Sequence, residues 1–392
     1  MIFDPERHEP LRTLGWDAAA ARATIERIVE GAEEAFLPGQ GWPTHRLDMK
    51  KNPAPLQGLY FGDAGVHWAL HMLQARGAAE LRGDYAQSIA ELRGLDESEP
   101  GSYMMGETGA LLVRQWLQPD ARTQELLAEH IAANFEHPAR ELMWGAPGSM
   151  LAALFLFRAT GDERWSRLFL GAARTLWAQL QWSDAEECLY WTQDLYGRTS
   201  TYLDAVHGFV ATAAVVIAGR ELLPAAEWHE WQQAITNTVV RSAEWQGQLA
   251  NWRAHLDAPR GGPMLVQYCH GAPGFVICLA DSPDRALDDV LRAAGEATWQ
   301  AGPLRKGSNL CHGTGGNGYA FLKLYRRFGE EKWLGRARAF AMHAIAQVEQ
   351  AREEYGQWRH SLWTGDPGLA LYLLDCIEAK DRFPTLDAFF PA

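Results

Sequence analysis

Two stretches of this chain place a thiol beside an imidazole, directly ahead of a glycine turn. One is KGSNLCHGTGGNGYAFL (306–322), with Cys311 and His312; the other is YCHGAPGFVICLA (268–280), with Cys269 and His270. Thiolate sulfur and imidazole nitrogen are a donor set that suits zinc. Each unit opens an apolar run of helical character, and the positive end of a following helix favours the thiolate form. A lone unit of this kind carries little weight, because free cysteines are commonly just buried; Cys188, Cys278 and Cys376 read that way. Two units in equivalent settings raise the question of a repeat.

The repeat is there. Glycine pairs recur at Gly62 and Gly65, Gly106 and Gly109, Gly145 and Gly148, Gly271 and Gly274, Gly313 and Gly316, and Gly365 and Gly368. A degenerate copy follows His207, where Gly208 is kept and Ala211 replaces the second glycine. First glycines are spaced by 44, 39, 63, 63, 42 and 52 residues, the mark of repeated supersecondary units. After each turn comes a small or apolar run, such as SMLAALFLF or FVICLA, which reads as a buried helix. Between the turns lie amphipathic segments at 17–37, 84–95, 121–137, 164–182, 224–245, 283–302 and 332–357. In 164–182, Trp165, Leu168, Ala172, Leu176 and Leu180 fall at three- and four-residue steps, one stripe of a helix.

Seven buried helices need cover, and seven amphipathic partners can supply it from outside. The expected fold is all-α: a single domain over 1–392, an (α/α) toroid of seven inner and seven outer helices. Closing the ring leaves no exposed repeat end; an open solenoid is the alternative. The glycine turns then gather at one mouth. The two 63-residue intervals carry extra sequence, 188–204 and 251–267, with β-favouring fragments such as CLYWTQDLY. These are expected as small β-like insertions, lids or walls near the mouth.

Bulk composition narrows the partners. Net charge is −13 and no Lys/Arg stripe tracks a phosphate backbone, which argues against nucleic acid. The N-terminal stretch is charged where a secretory signal would be apolar, no apolar run of about 18 residues spans a membrane, and Ile2 excludes N-myristoylation. Five cysteines, an odd number, fit reduced thiols. A cytoplasmic protein without a membrane anchor is expected. The 17 tryptophans suit helix packing or an aromatic-lined cavity.

In a toroid, residues 42 apart in sequence stand on neighbouring inner helices. Cys269, Cys311 and His312 then make a two-thiolate, one-imidazole set. His270 would complete a structural Cys2His2 site, but adjacent residues rarely both point at one ion. Three ligands and an open position, the pattern of a catalytic zinc, is the favoured reading. Tryptophans and acid-bearing turns (Asp63, Glu107, Asp366) would suit a carbohydrate epimerase or glycosidase, a reading that leaves the paired Cys-His-Gly turns unexplained.

YCHGAPGF and KGSNLCHGTGGNGYAFLKLY, with GWPTHR, LYFGDAGVHWAL and the seven turns, resemble the lanthionine synthetase C-like (LanC-like) family over nearly the whole chain. The resemblance implies a double α-barrel with zinc at its mouth, held at Cys269, Cys311 and His312. It also implies addition of a thiol to a dehydroamino acid, giving a thioether. One branch of the family cyclises lanthipeptides; the LanC-like branch binds glutathione and adds it to dehydroamino acids in damaged proteins. His270 where cyclases often carry Tyr, and Leu265 where they carry Arg, lean to the second branch, as do Glu141 and Lys306. The implied partners are glutathione or another small thiol, and a dehydroamino-acid-containing peptide or protein. His207 is the candidate acid for the α-carbon, Glu141 its orienting group, and His270 a further proton donor. Lys306, with Arg305 and Arg359, is the candidate for the thiol's carboxylates. A non-catalytic glutathione- or peptide-binding protein would use the same ligands.

Overall fold

The computed structural model describes residues 2–49, 56–94, 96 and 98–391. Its first helices are α1 (Ala18–Ala35), α2 (Asp63–Ala75), α3 (Ala86–Ala90), α4 (Glu107–Leu117), α5 (Ala121–Ala133), α6 (Ala146–Thr160) and α7 (Glu163–Ala178). They continue as α8 (Phe209–Ala218), α9 (Ala225–Ser242), α10 (Ala272–Leu279), α11 (Asp288–Ala301), α12 (Thr314–Phe328), α13 (Glu331–Tyr355) and α14 (Asp366–Glu378). Even-numbered helices pack in the order α2, α4, α6, α8, α10, α12, α14 and back to α2, so the inner ring is closed. Odd-numbered helices cover it from outside, and α1 seals the join by packing on α13 and α14. The toroid is therefore the fold, and the open solenoid is not.

Sequence explains the two layers. Three outer helices start on acidic caps: Asp17, Asp120 and Asp162 each accept amides of their own first turn. Inner helices start on a glycine with no side-chain cap. Their first amides bond instead to carbonyls seven residues upstream, as in Asp63 to Leu56, Phe209 to Tyr202 and Thr314 to Gly307. The chain folds back so tightly that a Cβ on the second glycine would meet a backbone carbonyl. It would lie 2.2 Å from the Leu59 oxygen at Gly65, 2.0 Å from that of Tyr268 at Gly274, and 1.8 Å from that of Leu310 at Gly316. That is why the glycine pair repeats.

All of α10 is buried, whereas α7 buries one stripe: Trp165, Phe169, Ala172, Ala173 and Leu176. Phe169 takes the fully buried place expected for Leu168, which is only partly covered. The expected outer helix at 84–95 is reduced to the five residues of α3, and residue 95 of that segment lies outside the described residues.

Three antiparallel hairpins occupy the long intervals: β1 (Gln181–Ser183) with β2 (Cys188–Tyr190), β3 (Gln193–Leu195) with β4 (Arg198–Ser200), and β5 (Glu244–Gln246) with β6 (Leu249–Asn251). The last begins earlier than the insertion expected at 251–267. Helix α9 stops at Ser242, and Gly247 at φ 62° makes the tight turn. The hairpins follow the ends of outer helices, at the end of the ring where inner helices begin.

The stretch 380–391 fills the bore from the opposite end. Phe383 stacks on Tyr268 at 4.6 Å, the Tyr103 hydroxyl donates to the Thr385 carbonyl at 2.6 Å, and the Trp68 indole donates to that of Phe389 at 2.8 Å. No helix among the described residues is long and apolar enough to cross a membrane.

Candidate functional site

A backbone ladder runs around the mouth through the residue two places before each first glycine. Cys269 N–H donates to the Cys311 carbonyl (3.1 Å), Cys311 to Trp363 (2.9 Å), Trp363 to Tyr60 (3.3 Å), Tyr60 to Met104 (3.2 Å) and Met104 to Met143 (3.1 Å). Leu142 N–H reaches Val206, and the Tyr268 hydroxyl donates to the Ala205 carbonyl across the remaining gap. Cys269 and Cys311 are thus adjacent rungs.

The donor atoms of Cys269, Cys311 and His312 all lie within 4.8 Å of one another. Zinc bonds of about 2.3 Å to sulfur and 2.1 Å to nitrogen, tetrahedrally arranged, place donors on the order of 3.5 Å apart, so the set fits a zinc ion. His270 is not part of this cluster. Gln267 Nε2 donates to the Cys269 sulfur at 2.9 Å, and Asn309 Oδ1 accepts the His312 amide at 3.0 Å. With both thiols in contact, the Cys269 thiol donates to the Cys311 sulfur and holds Cys311 well below the usual thiol range; His312 and Tyr60 add to this. Donating that bond, together with burial, pushes Cys269 well above it.

A second pattern involves the residues four and one places before the first glycine. Glu141 accepts the amides of Met143 (2.9 Å) and Trp144 (2.6 Å), and Asp204 those of Val206 (2.9 Å) and His207 (2.7 Å). Each carboxylate also reaches the imidazole of the next repeat. Glu141 Oε2 accepts from His207 Nδ1 at 3.0 Å, and Asp204 Oδ2 stands 2.8 Å from His270 Nδ1. Both carboxylates are fully buried. Burial pulls the His207 pKa down, but the hydrogen bond and charge of Glu141 outweigh it, with lesser help from Asp204 and Cys311, and leave it raised. His270 is raised in the same way, by Asp204 against burial. Burial works against the Asp204 carboxylate, yet the charge of His270, 2.8 Å away, keeps it below its usual range. Trp144 lies parallel to the His207 ring at 6.1 Å, and Tyr196 meets it edge-on at 5.9 Å. Sequence reasoning named Glu141, His207 and His270 but missed Asp204. The available signal was its place four residues before Gly208, matching Glu141 before Gly145.

The three candidate anion binders line one cleft of about 180 Å3, with His45, Tyr355 and Thr364. Thr364 holds the same turn position in repeat seven as His312 in repeat six, so the cleft adjoins the donor cluster. Lys306 is exposed to it. Arg359 is clamped in a two-bond pair with the buried Asp48, one bond being 2.8 Å, and Arg305 Nε donates to the Glu6 carbonyl at 3.1 Å. Of the three, the Lys306 side chain alone makes no ion pair or hydrogen bond among the described residues, and Asp48 is a further residue that sequence reasoning did not single out. The turn acids suited to sugar chemistry are used elsewhere. Asp63 accepts the Trp42 amide and Asp366 that of Arg359, and burial raises both to about 7.

Residues 46–388 match the family model described as lanthionine synthetase C-like protein. The chain is 35% identical over 139 residues to the Danio rerio protein named Glutathione S-transferase LANCL1, a match covering 32% of this chain and 32% of that one. It is 35% identical over 130 residues to the Arabidopsis thaliana LanC-like protein GCL1, covering 31% and 30%. These matches span about a third of the curated relatives' length. The solved structure of nisin cyclase superposes with a TM-score of 0.62 at 16% identity, covering 90% of this chain and 93% of that one, so the two share a fold. With the family model matched across most of its length, the chain belongs to the lanthionine synthetase C-like family.

Proposed function

We propose that this protein catalyses zinc-dependent addition of a thiol to the β-carbon of a dehydroamino acid, forming a thioether. The observation that carries this reading is the convergence of Cys269, Cys311 and His312 at a mouth that also holds the Glu141–His207 pair. Cys269, Cys311 and His312 would hold the zinc, which would supply Lewis acidity that lowers the pKa of an incoming thiol toward neutrality. Attack of the thiolate makes the carbon–sulfur bond, and the alkene pair moves to the α-carbon and its carbonyl. His207, held protonated by Glu141, delivers a proton to the α-carbon and is reprotonated from solvent. Glu141 fixes the Nδ1 side of the ring, which leaves Nε2 to face the substrate. His270, fixed by Asp204, is a further donor beside the same site.

Glutathione is the proposed thiol. Lys306 supplies an exposed ammonium in a cleft beside the donor cluster, suited to a thiol that carries carboxylates. The name of the zebrafish relative points the same way. The electrophile is a dehydroalanine or dehydrobutyrine in a peptide or protein.

The test incubates purified protein with glutathione and a dehydroalanine peptide and follows the adduct by mass spectrometry. Adduct formation above the uncatalysed rate is expected, with zinc near one per chain in the wild type, and both are expected to be lost in Cys269→Ala. Bound zinc without acceleration would overturn the enzyme reading in favour of a binding protein. Ring closure in a peptide carrying both cysteine and dehydroalanine, with glutathione ignored, would make the protein a cyclase.

A further inference from the structure

Below the floor of the mouth, the bore holds a second cavity of about 330 Å3. Its upper wall is formed by Leu142 and Ala205, the chain neighbours of Glu141 and Asp204, and its sides by Leu151, Ala214, Val215 and Ile277. Apart from the Cys278 thiol, the walls above the rim offer no polar side chain. The rim at the far end of the ring is different in kind. Arg158, Arg220, Arg326 and Arg382 meet there, and none of the four makes an ion pair among the described residues. Two are held in place without being neutralised: Arg158 donates to the Ala218 carbonyl at 2.6 Å and Arg220 to that of Ile217 at 2.9 Å, at the end of α8.

The remaining rim charges largely answer one another. Lys323, 2% exposed, stands 2.7 Å from Asp281, 2.9 Å from Asp387 and 3.5 Å from Asp381. Five cationic and three anionic side chains leave an excess of two positive charges on this rim, in a protein whose net charge is −13. An apolar sleeve with a cationic collar is the form of a site for a molecule with a hydrocarbon tail and an anionic head. At about 30 Å3 for each water-sized group, the cavity holds a chain of roughly ten heavy atoms.

We propose that this cavity binds a medium-chain aliphatic carboxylate, tail inward toward Leu142 and Ala205, with its head on Arg158 and Arg220. The proposal does not rest on the zinc-site reading, because the floor of the mouth separates the two sites and no residue belongs to both.

The experiment is calorimetric titration of the full-length protein with decanoate, with decylamine, decanol and butyrate as comparison probes. Saturable binding of one decanoate per chain is expected, with butyrate, decanol and decylamine each at least tenfold weaker. The double variant Arg158→Ala/Arg220→Ala, which changes only the rim, is expected to weaken decanoate at least tenfold. Ala214→Trp, which fills the sleeve, is expected to abolish binding, and Cys269→Ala to leave it unchanged. Equal binding of decylamine, no saturable binding of decanoate, or decanoate binding that survives the rim variant would each overturn the proposal. The rim variant keeps the test decisive if Ala214→Trp fails to fold.

Discussion

Replacing Glu141 by glutamine removes one buried charge and little else. The carboxylate accepts the Met143 amide at 2.9 Å, the Trp144 amide at 2.6 Å and His207 Nδ1 at 3.0 Å. Glutamine keeps a single carbonyl oxygen, so at least one of these donors is left facing an amide NH2, at a cost of about 1–3 kcal/mol in stability. The larger effect falls on His207. Two unit charges at 3.0 Å attract by about 5 kcal/mol at an effective dielectric near 20. Desolvation of the imidazolium offsets part of this and leaves the pKa raised. With Glu141 the imidazole lies above its ordinary 6.5; with glutamine, burial is opposed only by the lesser charges of Asp204 and Cys311, and the value falls. On the proposed chemistry only the imidazolium delivers the proton. The variant's rate near pH 8 is therefore expected to drop about 10-fold or more and to recover at lower pH, with the high-pH limb moved to lower pH. Stability follows the same sign. The pair's contribution is fully present below the free imidazole value and is lost as pH rises through the raised folded value. The stability gap between the two proteins should narrow as pH rises through the raised value of His207. The assay is the pH dependence of kcat for glutathione addition, with zinc content measured throughout. An unmoved limb, or an equal fall at every pH, would reduce Glu141 to a backbone cap and refute the reasoning.

Lys306→Ala should raise KM for glutathione about tenfold, one charge-assisted hydrogen bond, with kcat unchanged; cysteamine, a thiol without carboxylates, should show no such change. Gly316→Ala places a Cβ 1.8 Å from the Leu310 carbonyl, whereas Gly335→Ala, at an exposed position in the second turn of α13, meets nothing within 4 Å. Thermal unfolding should show a loss of about 4 kcal/mol or more for the first and a gain of about 0.5–1 kcal/mol for the second; similar effects would mean that the turn can relax. Lys323→Met leaves Asp281, Asp381 and Asp387 without their cation and should cost about 3–5 kcal/mol in urea unfolding near neutral pH. That penalty should shrink as pH falls and Asp387, already raised to about 6 by burial, takes up a proton.

The ring was legible in the sequence because its steric cause is local. A second glycine is demanded wherever the chain folds back under an inner helix, and the demand recurs with each repeat. The donor cluster was legible for a related reason: Cys269 and Cys311 hold the same place in neighbouring repeats, and the ladder makes them adjacent rungs. What stayed hidden was decided by long-range contact. Asp204 sits in no motif, and its importance appears only when the ring brings His270 beside it. Arg359 reads as a free cation until Asp48, 311 residues away, is found to clamp it. Lys323 lies within the apolar run GYAFLKLY, and nothing local says that three acids from two other segments surround it. Residues 380–391 carry no repeat signal, yet they pack Phe383 and Phe389 into the bore.

The fold is nearly symmetric, and the chemistry comes from breaking that symmetry over one arc. The residue directly before the first glycine is Phe61, Met105 and Trp144 in the first three repeats, His207, His270 and His312 in the next three, and Thr364 in the last. Four places before the glycine, the residue mostly caps its own turn: the Ser102 hydroxyl accepts the amides of Met105 and Gly106, and Asn309 accepts that of His312. In repeats three and four the cap is a carboxylate, which accepts the turn's amides and reaches the next imidazole as well. One change of residue type thus converts a structural cap into a group that charges a histidine. The intervals that hold the three hairpins lead into the turns at Gly208 and Gly271, on this same arc. Tyr196 belongs to that wall; it is 68% exposed and held at φ 55°, and its ring stands 5.9 Å from that of His207. On the proposed chemistry, a dehydroamino acid approaching the thiolate enters over this arc, with Tyr196 at the edge of its path and the inert side chains Phe61 and Met105 on the far side of the mouth.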